Sequence, residues 1–183
     1  MKSKKLYMVI SVSLAVLLIA GLAGCTSTRP GNGNSKMSLE DIVEKLYENI
    51  DVPPYETVRL TPENFAYYSF VPYDDSLSAV TADALVNITP HSVVVIRSEK
   101  GDGARLAALI FKYADPDKWI SVWADWVNVA YTDHYVVLIM SEEGRANAIA
   151  ENFKSIAKKL DGMEMTLLSA RNTKHDEWQN SDW

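Results

Sequence analysis

The spacing of apolar residues predicts an opening helix over residues 38–50. Its apolar side chains recur every three or four residues, as they do on one face of a helix: Leu39, Ile42, Val43, Leu46, Tyr47 and Ile50. Ser38 precedes this run as a natural N-cap, and Asp41 follows three residues later in the capping-box position. Val52-Pro53-Pro54 then ends the helix.

The rest of the pattern predicts two pairs of strands, each followed by a helix. The strand runs are 77–88 with 93–96, and 127–131 with 135–140. The helical runs are 104–113 and 142–160, the second with Ile149, Phe153 and Ile156 on its apolar stripe. Weaker patterns predict a short helical turn over 61–68, a helix beginning at Asp115-Pro116-Asp117 and an edge strand over 163–168.

This order predicts an α+β fold, in which an N-terminal helix is followed by two ββα units. The antiparallel sheet has four strands, or five if 163–168 joins its edge, and the helices pack on one face. One domain is expected over 38–168, followed by a polar tail over 169–183. Its length suffices for one well-buried core.

The first 24 residues have the pattern of a secretory signal. Lys2, Lys4 and Lys5 precede an uncharged run from Leu6 to Leu22, which is short for a membrane span. The run ends in Leu22-Ala23-Gly24, and Cys25, the chain's one cysteine, follows. These four residues resemble the bacterial lipobox.

The lipobox resemblance implies cleavage before Cys25 and acylation of its thiol. Leu22, Ala23 and Gly24 would be the signal-peptidase recognition residues. The mature protein would then be held on the extracytoplasmic face of the cell membrane, and stable anchoring needs two acyl chains. Residues 25–37 would form the lipidated cysteine and a flexible tether rich in Gly, Asn, Ser and Thr.

Charge argues against nucleic acid as a partner. Without residues 1–24 the chain carries 15 basic and 24 acidic residues, a formal charge of −9, and phosphate binding requires a basic face. The tether alone is +2, which leaves −11 beyond it. A single cysteine excludes an internal disulfide or a cysteine-rich zinc site.

The chain resembles a group of small Gram-positive lipoproteins that share a C-terminal domain of unknown function. The resemblance covers about 38–160 and rests on the lipobox, the tether, the capped helix and two segments, SVVVIRSEKGDGARLAALI and WVNVAYTDHYVVLIMSEEGRANAIAENF. At the final hairpin, Asp133-His134-Tyr135 keeps only the Tyr of the family's Gly-Asn-Tyr. The resemblance implies a location and no chemistry.

No residue spacing indicates catalysis, a metal or a cofactor. The histidines, His91, His134 and His175, lack partners at metal-site spacing, and Asp133-His134 suits a hairpin turn. Asp74-Asp75 suits a turn better than a calcium loop. Gly101-x-Gly103 lacks the third glycine of a phosphate loop. We therefore expect no catalytic residues, no metal and no cofactor.

Aromatic residues are the best candidates for a binding surface. Trp119, Trp123 and Trp126 would share one face of the predicted helix after Asp115, although core packing is the more ordinary role for such residues. We therefore expect a non-catalytic lipoprotein that binds an envelope protein or glycan. The alternative is an extracytoplasmic hydrolase of envelope polymers, which a serine–histidine pair or two converging carboxylates in a pocket would favour.

Overall fold

The computed structural model describes residues 37–86 and 88–176, all of which belong to one compact unit, Lys36–Trp183. The signal, the lipobox residues Leu22 to Cys25, the tether up to residue 36 and the end of the tail lie outside the described residues. No helix among the described residues is both long enough and apolar enough to cross a membrane.

The described chain forms a mixed α/β fold around one six-stranded sheet in which every neighbouring pair is antiparallel. The strands are β1 (Tyr55–Arg59), β2 (Leu77–Ala84), β3 (Ser92–Ser98), β4 (Trp126–Tyr131), β5 (Tyr135–Ser141) and β6 (Thr166–Arg171). Their order in the sheet is β1-β2-β3-β5-β4-β6. The two predicted hairpins, β2–β3 and β4–β5, therefore meet at the centre through β3 and β5.

Four helices cover the described sheet, and they lie on both of its faces. They are α1 (Leu39–Leu46), α2 (Phe65–Ser69), α3 (Gly103–Tyr113) and α4 (Glu143–Asp161). Helices α1 and α4 share one core with Val93 and Val95 of β3, whereas α2 and α3 share the other with Val94 and Ile96. The prediction of helices on one face is therefore wrong. The central strands are apolar on both sides, so each face must be covered.

The sheet also has more strands than the four or five predicted. The edge strand β1 was missed because it is short, carries Glu56 and Arg59, and leaves most of its side chains exposed. Such short, charged strands are typical of sheet edges. The other edge strand, β6, was foreseen over 163–168, and it begins and ends three residues later.

The opening helix is capped as predicted but is shorter than predicted. The Ser38 side chain accepts a hydrogen bond from the Asp41 backbone, and the Asp41 side chain accepts one from the Ser38 backbone. The helix stops at Leu46, and Asn49 takes a left-handed conformation (φ 61°) that asparagine tolerates. The Asn152 amide of α4 donates to the backbone oxygens of Leu46 and Glu48. A tertiary contact thus stabilises this early helix end.

The helix predicted after Asp115 is absent from the structure, where residues 114–125 form a loop. Lys118 anchors this loop, since its ammonium donates to the Asp83 carboxylate at 3.0 Å and to the Ser92 hydroxyl at 2.9 Å. The Lys118 side chain is 8% exposed, and its ammonium also lies 4.9 Å from the centre of the Trp119 ring. A partly buried ion pair to the β2–β3 hairpin thus holds the segment in a non-helical path.

Candidate functional site

Two surface features stand out, and they lie at opposite ends of the sheet. At one end, the β2–β3 turn and the 114–125 loop expose four aliphatic side chains, Leu85, Val86, Ile88 and Ile120, which we call the apolar patch. At the other end, β3 finishes beside the start of β5, where Arg97 pairs with Tyr135. A cleft of about 540 Å³ opens there, between these strands and the end of α4.

The apolar patch is unusually exposed for aliphatic residues. Ile120 is 86% exposed, Ile88 81% and Leu85 60%. A shallow groove of about 240 Å³ joins the two loops, and Pro90 from the hairpin and Val122 and Trp123 from the 114–125 loop line it. Large aliphatic side chains exposed on two adjoining loops are typical of interaction surfaces.

The three tryptophans of the predicted helical face are in three different environments. Trp119 packs against the α2/α3 core, and Trp126, on β4, packs against the α1/α4 core on the opposite side of the sheet. The Trp126 indole nitrogen also donates to the Ser169 hydroxyl at 2.7 Å. Trp123 lines the groove, but one face of its ring stacks on His175 at 3.8 Å between ring centres. The prediction that the three share one face is therefore wrong, and of the three only Trp123 lines the groove.

His91 is fully buried and belongs to a polar network in the interior. Its Nε2 is 2.8 Å from the Tyr47 hydroxyl, and its Nδ1 is 3.1 Å from the Ser141 hydroxyl. Arg145 donates to Ser141 at 3.3 Å, and Tyr47 donates to the Ala82 carbonyl oxygen at 3.3 Å. One proton assignment satisfies every group, with donation running from Arg145 through Ser141, His91 and Tyr47 to Ala82.

This network places a serine and a histidine in hydrogen-bond contact, which was the arrangement expected of a hydrolase. However, His91 and Ser141 are both 0% exposed, so no substrate can reach the serine oxygen. Burial, aided by the charge of Arg145, lowers the pKa of His91 to about 4 and keeps the ring neutral. The pair therefore connects the start of α4 to α1 and the sheet as a structural link.

We expect His91 to make stability depend on pH. The unfolded chain binds a proton on this histidine near pH 6.5, whereas the folded chain binds it only near pH 4, so stability falls as the pH falls through this interval. Between pH 7 and pH 5 this loss should be about 2 kcal/mol. Urea unfolding at both pH values should show a smaller loss for His91→Gln, which does not titrate. Equal losses in the two proteins would contradict the assignment.

The cleft contains a histidine whose ring is held by a carboxylate. Asp161, the last residue of α4, accepts hydrogen bonds from the His134 backbone amide and from its Nδ1, each at 2.8 Å. Burial alone would raise the pKa of Asp161, but these bonds and one from the Thr132 hydroxyl outweigh it and hold the pKa below its usual value. His134 keeps 45% of its side chain exposed.

Ser98, which lies beside His134 in the cleft, forms its side-chain hydrogen bond with another residue. Ser98 also lines the cleft, but it is buried and its hydroxyl donates to Asp102 at 2.6 Å. Asp102 and Gly103 fix this loop against the β4–β5 turn, because the Gly103 amide donates to the Asp133 carbonyl oxygen at 2.8 Å. A Cβ on Gly103 would stand 2.0 Å from the Thr132 carbonyl oxygen, so only glycine fits. Ser98 is thus part of the loop's hydrogen bonding.

The remaining sequence candidates have structural partners. Asp74 accepts two bonds from Ser76 and pairs with Lys100 at 2.8 Å, and these contacts hold its pKa below the usual value. His175 pairs with Asp117 at 3.1 Å. Among the described residues, no three His, Cys, Asp or Glu side chains stand together as a metal site.

Sequence analysis missed Arg97, Glu99 and Asp161, which line the cleft with His134. Arg97 interrupts an otherwise apolar strand end, and Asp161 puts a negative charge at a helix C-terminus, where the dipole disfavours it. Both are local anomalies that could have indicated a site. Their convergence with the β4–β5 turn could not be predicted, because it depends on how the hairpins pair.

Comparison with known proteins gives no relative for this chain. No protein-family model, no curated protein and no solved structure matches it. The resemblance to the Gram-positive lipoproteins therefore stays a prediction.

Proposed function

We propose that this protein is a lipid-anchored extracytoplasmic lipoprotein that acts as a non-catalytic binding module in the cell envelope. Cys25 would carry the lipid. The apolar patch is the observation that supports a binding role, because Ile88 and Ile120 are almost wholly exposed there. Burying such side chains against a partner contributes roughly 25 cal/mol for each Å² removed from water.

The chemistry of the apolar patch favours a protein partner over a glycan. Sugar binding relies on exposed aromatic rings, whereas the exposed side chains here are leucine, valine and isoleucine. Trp123 is the aromatic residue beside them, and His175 already covers one face of its ring. An aliphatic surface of this kind is complementary to an apolar surface on another protein.

The loop that carries Ile120 is fastened to the fold before any partner binds. Lys118, two residues earlier, is paired with Asp83 and Ser92 on the β2–β3 hairpin, which also carries Ile88. At the other side of the loop, the Asn172 amide donates to the Ala124 carbonyl oxygen at 3.2 Å. Fixing a surface in advance lowers the entropic cost of binding.

We expect Ile88→Asp and Ile120→Asp to abolish partner capture while leaving the fold intact. A buried charge in the complex has no partner, which costs several kcal/mol, whereas both sites are exposed in the free protein. The measurement is quantitative crosslinking on intact membranes, comparing each variant with the unaltered protein. Met163→Asp is the matched control, since Met163 is 44% exposed and follows α4, away from the patch.

Proteins that crosslink to the unaltered chain and to Met163→Asp, but to neither patch variant, would support the proposal. If the same proteins crosslink equally to all four, the apolar patch is not the binding surface. Circular dichroism and urea midpoints of the variants should match those of the unaltered protein, because exposed substitutions usually change stability by less than about 0.5 kcal/mol.

A further inference from the structure

We propose that the cleft is a second binding site, separate from the apolar patch, and that it takes a zwitterionic ligand such as a short peptide with free amino and carboxyl ends. The volume of about 540 Å³ lies within the range of small-molecule sites. The charged and polar groups at its wall are Arg97, Glu99, His134 and Asp161.

Arg97 is the group in the cleft that would bind an anion. The other arginines in the described chain each pair with a carboxylate, namely Arg59 with Glu40, Arg105 with Asp102, Arg145 with Glu142 and Arg171 with Asp176. Arg97 is half-buried, yet among the described residues it has no ion pair and no side-chain hydrogen bond. A guanidinium in this setting binds a carboxylate through two parallel hydrogen bonds.

The balance of charge in the cleft favours a zwitterion over a phosphate. Glu99 is exposed at the rim, and its carboxylate has no ion pair among the described residues. Asp161 adds a second negative charge, although both of its oxygens already accept bonds from His134. A doubly charged phosphate would meet these two carboxylates, whereas a ligand with one carboxylate and one ammonium can pair with Arg97 and Glu99.

His134 supplies a hydrogen-bond acceptor in the same cleft as these two charges. In the neutral ring, the Nδ1 proton is bonded to Asp161, so Nε2 carries a free lone pair. Gly101 packs against one side of the ring, and a Cβ at that position would crowd Nε2 at 3.3 Å, so glycine keeps this atom from being covered by a side chain. The backbone N–H of a bound peptide is a donor that can reach such an atom. The three groups together therefore match the amine, amide and carboxylate of a short peptide.

The test is a titration of the 26–183 chain with tri-alanine, in which binding is measured by amide chemical shifts in NMR spectra. This chain contains the whole compact unit 36–183. Two ligands serve as matched probes, one with an amidated carboxyl end and one with an acetylated amino end. Inorganic phosphate is the competing anion. The variants are Arg97→Gln and Glu99→Gln, and Arg171→Gln, on the far edge strand, is the control.

We expect saturable shifts around Gly101 and His134 with tri-alanine. Amidating the ligand should weaken binding about tenfold or more, and so should Arg97→Gln, since each removes one side of a charged hydrogen-bonded pair. Acetylating the ligand and the Glu99→Gln substitution should also weaken binding, whereas Arg171→Gln should leave the affinity unchanged.

Three results would overturn the proposal: no saturable shift at the cleft, equal affinity for the blocked and free peptides, or tighter binding of phosphate than of tri-alanine. If Arg97→Gln fails to fold, the blocked peptides decide the question on the unaltered chain. Loss of this site would leave the partner-binding proposal intact, because the apolar patch lies at the other end of the sheet.

Discussion

Replacing Phe153 with alanine should lower the free energy of unfolding by about 3–5 kcal/mol. Phe153 lies in the middle of α4 with 0% of its surface exposed, and it packs in the core that α1 and α4 form on the sheet. The substitution removes a full aromatic ring and leaves a cavity between layers that are fixed by the hydrogen bonds of the sheet. Both effects act in the same direction.

Urea unfolding at neutral pH measures this change directly. Lys159→Ala is the matched control, because Lys159 lies on the exposed side of the same helix and alanine preserves helix propensity. Its unfolding free energy should change by no more than about 0.5 kcal/mol. Equal midpoints for Phe153→Ala and Lys159→Ala would mean that α4 does not cover a core, which would refute the layered architecture.

Elements with strong local signals could be predicted from the sequence. The α4 stripe is one example, since Ile149 and Phe153 are fully buried, Ile156 is half-buried, and Gly162 ends the helix in a left-handed conformation. Both hairpins are another, because each has two strand-like runs separated by turn residues, although β2 ends at Ala84 and the predicted strand ran on to residue 88. In each case the signal comes from neighbouring residues and does not depend on the rest of the fold.

Elements that depend on distant contacts could not be predicted. The 114–125 loop and the first residue of β4 carry three tryptophans at helical spacing, yet the path of the loop is set by the pairing of Lys118 with Asp83, which lies 35 residues away in sequence. The second helical layer was missed for a related reason. Periodicity alone does not tell whether the run Val93–Ile96 is buried on one face or on two.

The candidate sites show the same difference between features that depend on neighbouring residues and features that depend on distant contacts. His134 was singled out as a turn residue, and the turn is where the structure places it, yet its partner Asp161 comes from the end of α4. The apolar patch combines a turn and a loop that are separate in sequence. A binding surface built from two connections depends on the topology that brings them together, and local patterns carry little information about it.

Membrane attachment is the second large effect that we expect, and it should depend wholly on Cys25. The resemblance to the lipobox predicts acylation of this thiol, and the chain beyond residue 37 has a formal charge of −11, which disfavours attraction to anionic lipid. Two acyl chains bind a bilayer firmly, whereas an acidic domain without them is expected to have little affinity for it. Nearly all of the lipidated chain, and almost none of the unlipidated chain, should therefore be bound to the membrane.

Replacing Cys25 with alanine should block both acylation and the lipoprotein-specific cleavage. The uncleaved signal would then still hold the precursor in the membrane, since its apolar run begins at Leu6 and ends at Leu22. Fractionation of that variant alone cannot separate the two kinds of anchor. The cleaner comparison keeps secretion and removes only the lipid.

The most direct measurement therefore follows residues 26–183 secreted behind an ordinary cleavable signal, beside the chain 1–183 with its own signal and Cys25. The 1–183 chain should be recovered in salt-washed membranes and carry acyl chains by mass spectrometry. The unlipidated chain should be recovered folded in the soluble extracytoplasmic fraction. If the unlipidated chain stays in the washed membranes at the same level as the 1–183 chain, the lipid on Cys25 is not what attaches this protein to the membrane.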